Sequence, residues 1–275
     1  MASESLAPRA LDPLPGVCDD LAAESDELLT VLRSISPAQW DLATPAEGWT
    51  IRDQISHLAF FDETGTLAAT DPDAFATSTR QLMSAPDPMN IPQARGRALS
   101  VDEVLAWLET VRTQMIATLR GLEGSARLPW YGPAMSATSF ATARLMETWA
   151  HGQDVIDALG LTRAPTARLK HIVHIGVRAR PFSYMTNGRP VPEGGVRVTL
   201  VSPDGSPWTW NDDASPENSV TGDAQEFCLV VTQRRHVGDT ALVVQGPLAV
   251  DWIAIAQAFA GAPGTGREPG QFAAP

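Results

Sequence analysis

Four long stretches of the chain carry apolar residues at helical spacing, with polar residues on the opposite face. Val17, Leu21, Leu28, Leu29 and Leu32 form the first stripe. Asp19, Asp20, Asp26 and Glu27 form its wet side, and Glu24 interrupts the stripe. Thr50 with Asp53 is a capping-box pattern that starts a second helix, whose buried stripe is Ile51, Ile55, Leu58 and Phe61. Ser100 with Glu103 starts a third, in which Val101, Val104, Leu105, Leu108, Val111, Met115 and Leu119 recur until Gly121. A fourth runs from Ser136 or Thr138 to Leu159 and ends at Gly160. Between about Thr64 and Leu99 the periodicity weakens, leaving at most a short helix around Ala74 to Leu82.

The texture changes after Pro165. A helix over ARLKHIVHIGVRARPF is followed by VRVTLVSP, SPWTWN, EFCLVVTQ and ALVVQG, short β-branched or aromatic runs separated by turn residues, which read as strands. LAVDWIAIAQAFAG reads as a last helix, and the tail APGTGREPGQFAAP has too little apolar content to order itself. The expected organisation is a flexible start (1–15), a helical bundle (16–162), a smaller α+β domain with a mainly antiparallel sheet (163–262) and a flexible tail (263–275).

Length and charge narrow the partners. At 275 residues and 44% hydrophobic content the chain can bury a large core, and two domains are expected before one. A formal net charge of -12 with no basic patch argues against nucleic acid or an anionic membrane. Cys18 and Cys228 form neither a disulfide framework nor a CxxC motif, which suits a reducing cytoplasm. Neither a signal peptide nor a membrane span is read from the chain.

The chemistry concentrates in RLMETWAHGQD, Arg144 to Asp154. On a helix Glu147, His151 and Asp154 fall at i, i+4 and i+7 and share one face. A carboxylate and a neutral imidazole one turn apart can hold a divalent cation. His57, in GWTIRDQISHLAFFDE, lies just beyond the apolar stripe of the second helix and is the best third ligand. Asp154 reads either as a surface charge or as an acceptor for the free imidazole N–H of a ligand histidine. Arg144 reads as a surface or interdomain ion-pair partner, His171 and His174 as structural, and Trp40, Trp49, Trp107 and Trp149 as core.

The pairing of GWTIRDQISHLAFFDE with RLMETWAHGQDVIDALG, followed by TGDAQEFCLVVTQRRH, resembles the mycothiol-dependent maleylpyruvate isomerase and DinB-like group of actinobacteria over most of the chain. That resemblance implies an α+β fold, a DinB-like four-helix bundle followed by a smaller sterol-carrier-like α+β domain. It also implies a divalent metal, zinc before nickel or another ion, on His57, Glu147 and His151, and mycothiol as the thiol cosubstrate. An arginine at a strand end, usually after glycine, works near the metal in that group. Here the matching segment is Gln233, Arg234 and Arg235, and the role is carried to Arg234. An insertion from Asp71 to Arg97 sets this chain apart from the characterised isomerases.

Two imidazoles and one carboxylate leave a zinc ion with net positive charge and an open position, the pattern of a catalytic site. A thiol entering that position would ionise and could attack an electrophilic carbon, with a cationic side chain holding the carboxylate of an acidic small-molecule substrate. The expectation is a thiol-dependent S-transferase or isomerase, monomeric or homodimeric. Two alternatives stand beside it: a metal-braced small-molecule or lipid binding protein, and a metal-dependent hydrolase, although the zincin motif HExxH is absent.

Overall fold

The computed structural model of the chain describes residues 12–88 and 90–272. Helices α1 (Leu14–Ser34), α2 (Ile51–Thr70), α5 (Val101–Arg120) and α6 (Ala137–Ala158) form a four-helix bundle in which α1 and α2 each pack against both α5 and α6. The expected caps form. Thr50 and Asp53, and likewise Ser100 and Glu103, satisfy each other's backbone N–H groups, and Ser136 accepts from Ser139 N. Helix α1 begins three residues before the expected Val17 because Asp12 Oδ1 accepts from Leu14 N. Helices α2 and α6 approach closely at Gly65, where an added Cβ would sit 2.6 Å from the Phe140 ring.

Glu24, which interrupts the apolar stripe of α1, is 2% exposed and binds Arg163 and Arg168 beyond the bundle. Arg144 is buried, not superficial. Its guanidinium lies against Asp62 Oδ1, while Arg112 Nε donates to Asp62 Oδ2 (2.5 Å), so one carboxylate knots α2, α5 and α6 together. Trp40, Trp107 and Trp149 are core residues.

The stretch with weak periodicity holds two helices, α3 (Pro72–Met83) and α4 (Asn90–Arg97). Asp71 closes α2 and caps α3, with Pro72 at the first helical position. Arg97, at the end of α4, grips both oxygens of Asp53 at 2.8 Å and fastens the insertion to the start of α2. A two-residue hairpin, β1 (Arg127–Leu128) with β2 (Met135–Ser136), leads into α6.

After the bundle come α7 (Leu169–Arg178) and α8 (Arg180–Thr186), then strands β3 (Arg197–Val201), β4 (Pro207–Trp210), β5 (Ser219–Asp223) and β6 (Val243–Gln245), with α9 (Ala224–Val231) between β5 and β6 and α10 (Pro247–Ile253) last. The sheet order is β4-β3-β5-β6; the β3–β5 pair is parallel and the other two are antiparallel. EFCLVVTQ, expected as a strand, is helical. Asp223 caps its first turn, and Ala224, Phe227, Cys228 and Val231 lie on one buried face against α7, so a cap and a 3.6-residue period override β-branched propensity. The expected last helix stops at Ile253, where buried Gln257 takes over, donating to Phe259 O and Ala262 O and accepting from Gly264 N. The architecture is α+β: a helical first part and a small mixed sheet. Among the described residues no helix is long and apolar enough to cross a membrane.

Candidate metal centre

Helix α2 supplies His57 and helix α6 supplies Glu147 and His151, one donor atom from each falling within 4.8 Å of the others. His151 Nε2 is 3.1 Å and His57 Nε2 3.8 Å from the same carboxylate oxygen, Glu147 Oε2. A tetrahedral ion with bonds of about 2.1 Å needs its ligands roughly 3.4 Å apart, so both histidine–Glu147 separations lie within a few tenths of an ångström of that spacing. His57 Nδ1 is buried with no hydrogen-bond partner. Trp49 stacks on the His151 ring and Phe61 tilts against His57, walling the imidazoles with aromatic surface.

The tautomer of His151 follows from a relay beginning at a backbone carbonyl. Trp49 O can only accept, so the Thr44 hydroxyl donates to it (3.0 Å) and itself accepts from Gln54 Nε2 (2.9 Å). That orients Gln54 Oε1 toward His151 Nδ1 at 2.5 Å, and Nδ1 therefore carries the proton. With Nδ1 protonated, the contact of Nε2 with the Glu147 carboxylate is satisfied either by a second proton on the ring or by a metal ion in that proton's place. Gln54, one turn before His57 on α2, has the role that the sequence reading considered for Asp154.

The electrostatics suit ligation. Burial, reinforced by the neighbouring His151, pushes His57 down to about 4 against the opposing pull of Glu147, so its imidazole is neutral at ordinary pH. Burial alone would raise Glu147, but hydrogen bonds from His151 and His57, and the charge those rings carry when protonated, outweigh it and hold the carboxyl well below its usual range.

A cavity of about 290 Å³ opens beside His151, bounded by Trp49, Gln54, Asp154, Gln233, Arg234, Phe259 and residues 264–267. Asp154 is neither a surface charge nor a histidine's acceptor. It is fully buried, and its two oxygens bind Arg234 Nη2 and Arg267 Nη2, each at 2.8 Å. Arg234 thus lines the cavity, while Arg235 turns to Asp157 at 2.7 Å and lies over the Phe272 ring. Trp49, expected in the core, is half-buried at the cavity wall. The tail, expected to lack order, is tied over the site through Gly264, Arg267 and Gly270 N, which donates to Asp239 (2.7 Å). Its first three residues of contact are polar or glycine, so no apolar signal announced them. A second cavity of about 470 Å³ holds His171 and His174 beside Trp208 and Trp210, but His171 pairs with Asp20 and His174 faces the Trp210 indole.

The fold and site define an α+β protein in which a helical bundle brings a His–Glu–His cluster together, and one member of it, His151, lines a cavity shared with Arg234, Phe259 and residues 264–267 of the second half of the chain. The chain belongs to the mycothiol maleylpyruvate isomerase N-terminal domain family, whose model matches residues 21–156. It is 41% identical over 261 residues to uncharacterized proteins of Mycobacterium tuberculosis strains CDC 1551 and H37Rv, covering 93% of this chain and 99% of each of theirs. In fold it is similar to the crystal structure of the mycothiol-dependent maleylpyruvate isomerase (TM-score 0.56, 16% identity) and to that of a histidine-to-alanine variant of that enzyme (0.57, 17%), with 81% of this chain and 90% of the other covered in both.

Proposed function

We propose that this chain is a metal-dependent S-transferase or isomerase that uses a low-molecular-weight thiol on a small, electrophilic, acidic substrate. The observation that carries the reading is the meeting of three metal-compatible donors, His57, Glu147 and His151, the last of which lines a cavity that also holds Arg234 and Arg267. A divalent ion bound there, zinc before nickel, would supply a Lewis acid at which a thiol ionises near neutral pH. His57 and His151 would offer neutral nitrogens and Glu147 one negative charge, leaving the centre net positive toward an incoming thiolate. Gln54 would keep the His151 lone pair on the metal side. Trp49 and Phe259 would exclude water around the sulfur, and Arg234 would hold the substrate carboxylate.

Mycothiol is the thiol to test first, since family and fold neighbours both carry its name. A reducing compartment, the cytoplasm, suits a free thiol cosubstrate, and Cys18 and Cys228 are both unpaired and buried. Hydrolysis ranks lower because the cavity offers no free general base of obvious placement: Asp154 is taken up by two guanidiniums and Glu47 is exposed at the rim.

Elemental analysis of tag-free protein beside His57→Ala and His151→Ala tests the centre. About one ion per chain, lost in both variants while both stay helical, is the expected result. Mycothiol added to the metal-loaded protein should then ionise at lower pH than mycothiol alone. A wild type that takes up no metal on reloading, or a thiol whose ionisation is unmoved, sinks the reading.

A further inference from the structure

Asp154 sits three residues after His151 on α6, fully buried, with one guanidinium on each of its oxygens. One negative charge faces two positive ones, so the group keeps an excess of about one positive charge on the wall of the cavity that holds His151. Among the residues that line the cavity the one other acid is Glu47, exposed at the rim. Of the acids behind the lining, Asp157 is balanced by Arg235, and Asp239 keeps its charge but is turned to the backbone of Gly270. Arg234 Nε and Arg267 Nε are both buried without a hydrogen-bond partner, and an unsatisfied charged donor costs more than an unsatisfied neutral one.

Arg267 is delivered by a segment fastened on both sides of it. Gly264 N donates to Gln257 Oε1 at 3.0 Å, and Gly264 lies so close to Gln233 that an added Cβ would fall 1.9 Å from its Oε1. Gln233 itself stands in the left-handed region, at φ 60°, and donates to Ala256 O. Beyond Arg267, Gly270 N is held by Asp239 and Phe272 by Arg235. The guanidinium is therefore pre-positioned, which removes most of the ordering cost of binding.

We propose that Arg267, brought in by the C-terminal segment, is a specificity-determining residue that forms with Arg234 and Asp154 a two-guanidinium seat for a carboxylate group of the substrate. Planar guanidiniums match the paired oxygens of a carboxylate better than an ammonium would, and Asp154 holds the two forks side by side where their charges alone would drive them apart. A cavity of this volume accepts a small molecule, so a carboxylate in the seat leaves the remainder of that molecule directed toward His151. The assignment rests on the reading of the site as one for acidic substrates, yet anion binding does not require the metal or the thiol and is measurable without either.

The test is calorimetric titration of malonate into the full-length, metal-free protein at low ionic strength, with malonamide as the uncharged control. Wild type should bind malonate and not malonamide. Arg267→Gln should weaken malonate by at least about tenfold, as loss of a charge-assisted hydrogen bond predicts, and Arg267→Lys should recover part of that loss. Metal content and helical circular dichroism of both variants should match wild type, so a failed seat and a failed metal centre give different results. No malonate binding by wild type, equal binding of malonate and malonamide, or a glutamine variant that binds as wild type would each overturn the proposal. So would a lysine variant no better than glutamine, because that pattern marks Arg267 as a fastener of the tail alone.

Discussion

At Asp62 and at Asp154 a single carboxylate lies between two arginines, and the two places behave differently. Around Asp62 the side chains of Arg112 and Arg144 are 5% and 4% exposed, walled in by α2, α5 and α6, and Arg112 also reaches Ser25 and Thr148. Around Asp154 the side chains of Arg234 and Arg267 are 12% and 13% exposed and border a cavity. The first knot is closed in on all sides by the bundle and serves packing. The second leaves its excess charge toward open space, which makes it a place for a ligand. The same residue chemistry becomes structural or functional according to whether a cavity adjoins it.

Cutting each carboxylate is the most severe test of this contrast. Asp62→Ala strands two nearly dry guanidiniums and is expected to cost about 3 to 5 kcal/mol. Asp154→Ala leaves guanidiniums that water can reach from the cavity, and should cost only about 1 to 2 kcal/mol. Urea midpoints of the two variants beside wild type decide it, and equal losses would mean that the cavity does not distinguish the two knots.

The next effect in size is set by pH. His57 titrates near 4 in the folded chain against about 6.5 when unfolded, so the unfolded state takes up the proton first as pH falls. Stability of the metal-free protein should be level above about 6.5 and decline by about 3 kcal/mol on the way down to 4. The depressed Glu147 carboxyl then adds a further loss below its own unfolded value of about 4.5. His57→Gln should flatten the upper part of that slope; a variant that titrates like wild type would remove His57 from the account.

The smallest expected effect sharpens the metal centre without disturbing either knot. Gln54→Leu frees His151 to exchange tautomers and should lower zinc affinity by about 10- to 100-fold while leaving the helices intact. Competition with a chromophoric chelator measures it, and an unchanged affinity would show that the relay from Trp49 O does not govern the ligand.

The sequence by itself determined the four long helices, because each carries its own period and three of them a cap: Thr50 with Asp53, Ser100 with Glu103, and Ser136 ahead of the stretch ending at Gly160. It also singled out Glu147 and His151, whose spacing is fixed by the helix that bears them, and marked His57 as lying off the apolar stripe of its own. Helix α9 reads as a strand in the sequence because eight residues with a β-branched run carry two conflicting signals, and the Asp223 cap together with the face buried against α7 decides for the helix. The tertiary structure alone decided the rest. Glu24 on its apolar stripe, Arg144 and Asp62 carry no local sign of their partners, which come from as far as 144 residues along the chain. Gln54 gained its part from Thr44 and His151, and Arg267 from Asp154, 113 residues away. Local periodicity fixes what a residue shares with its own helix, whereas the charge and cavity it faces depend on which other elements are folded against it.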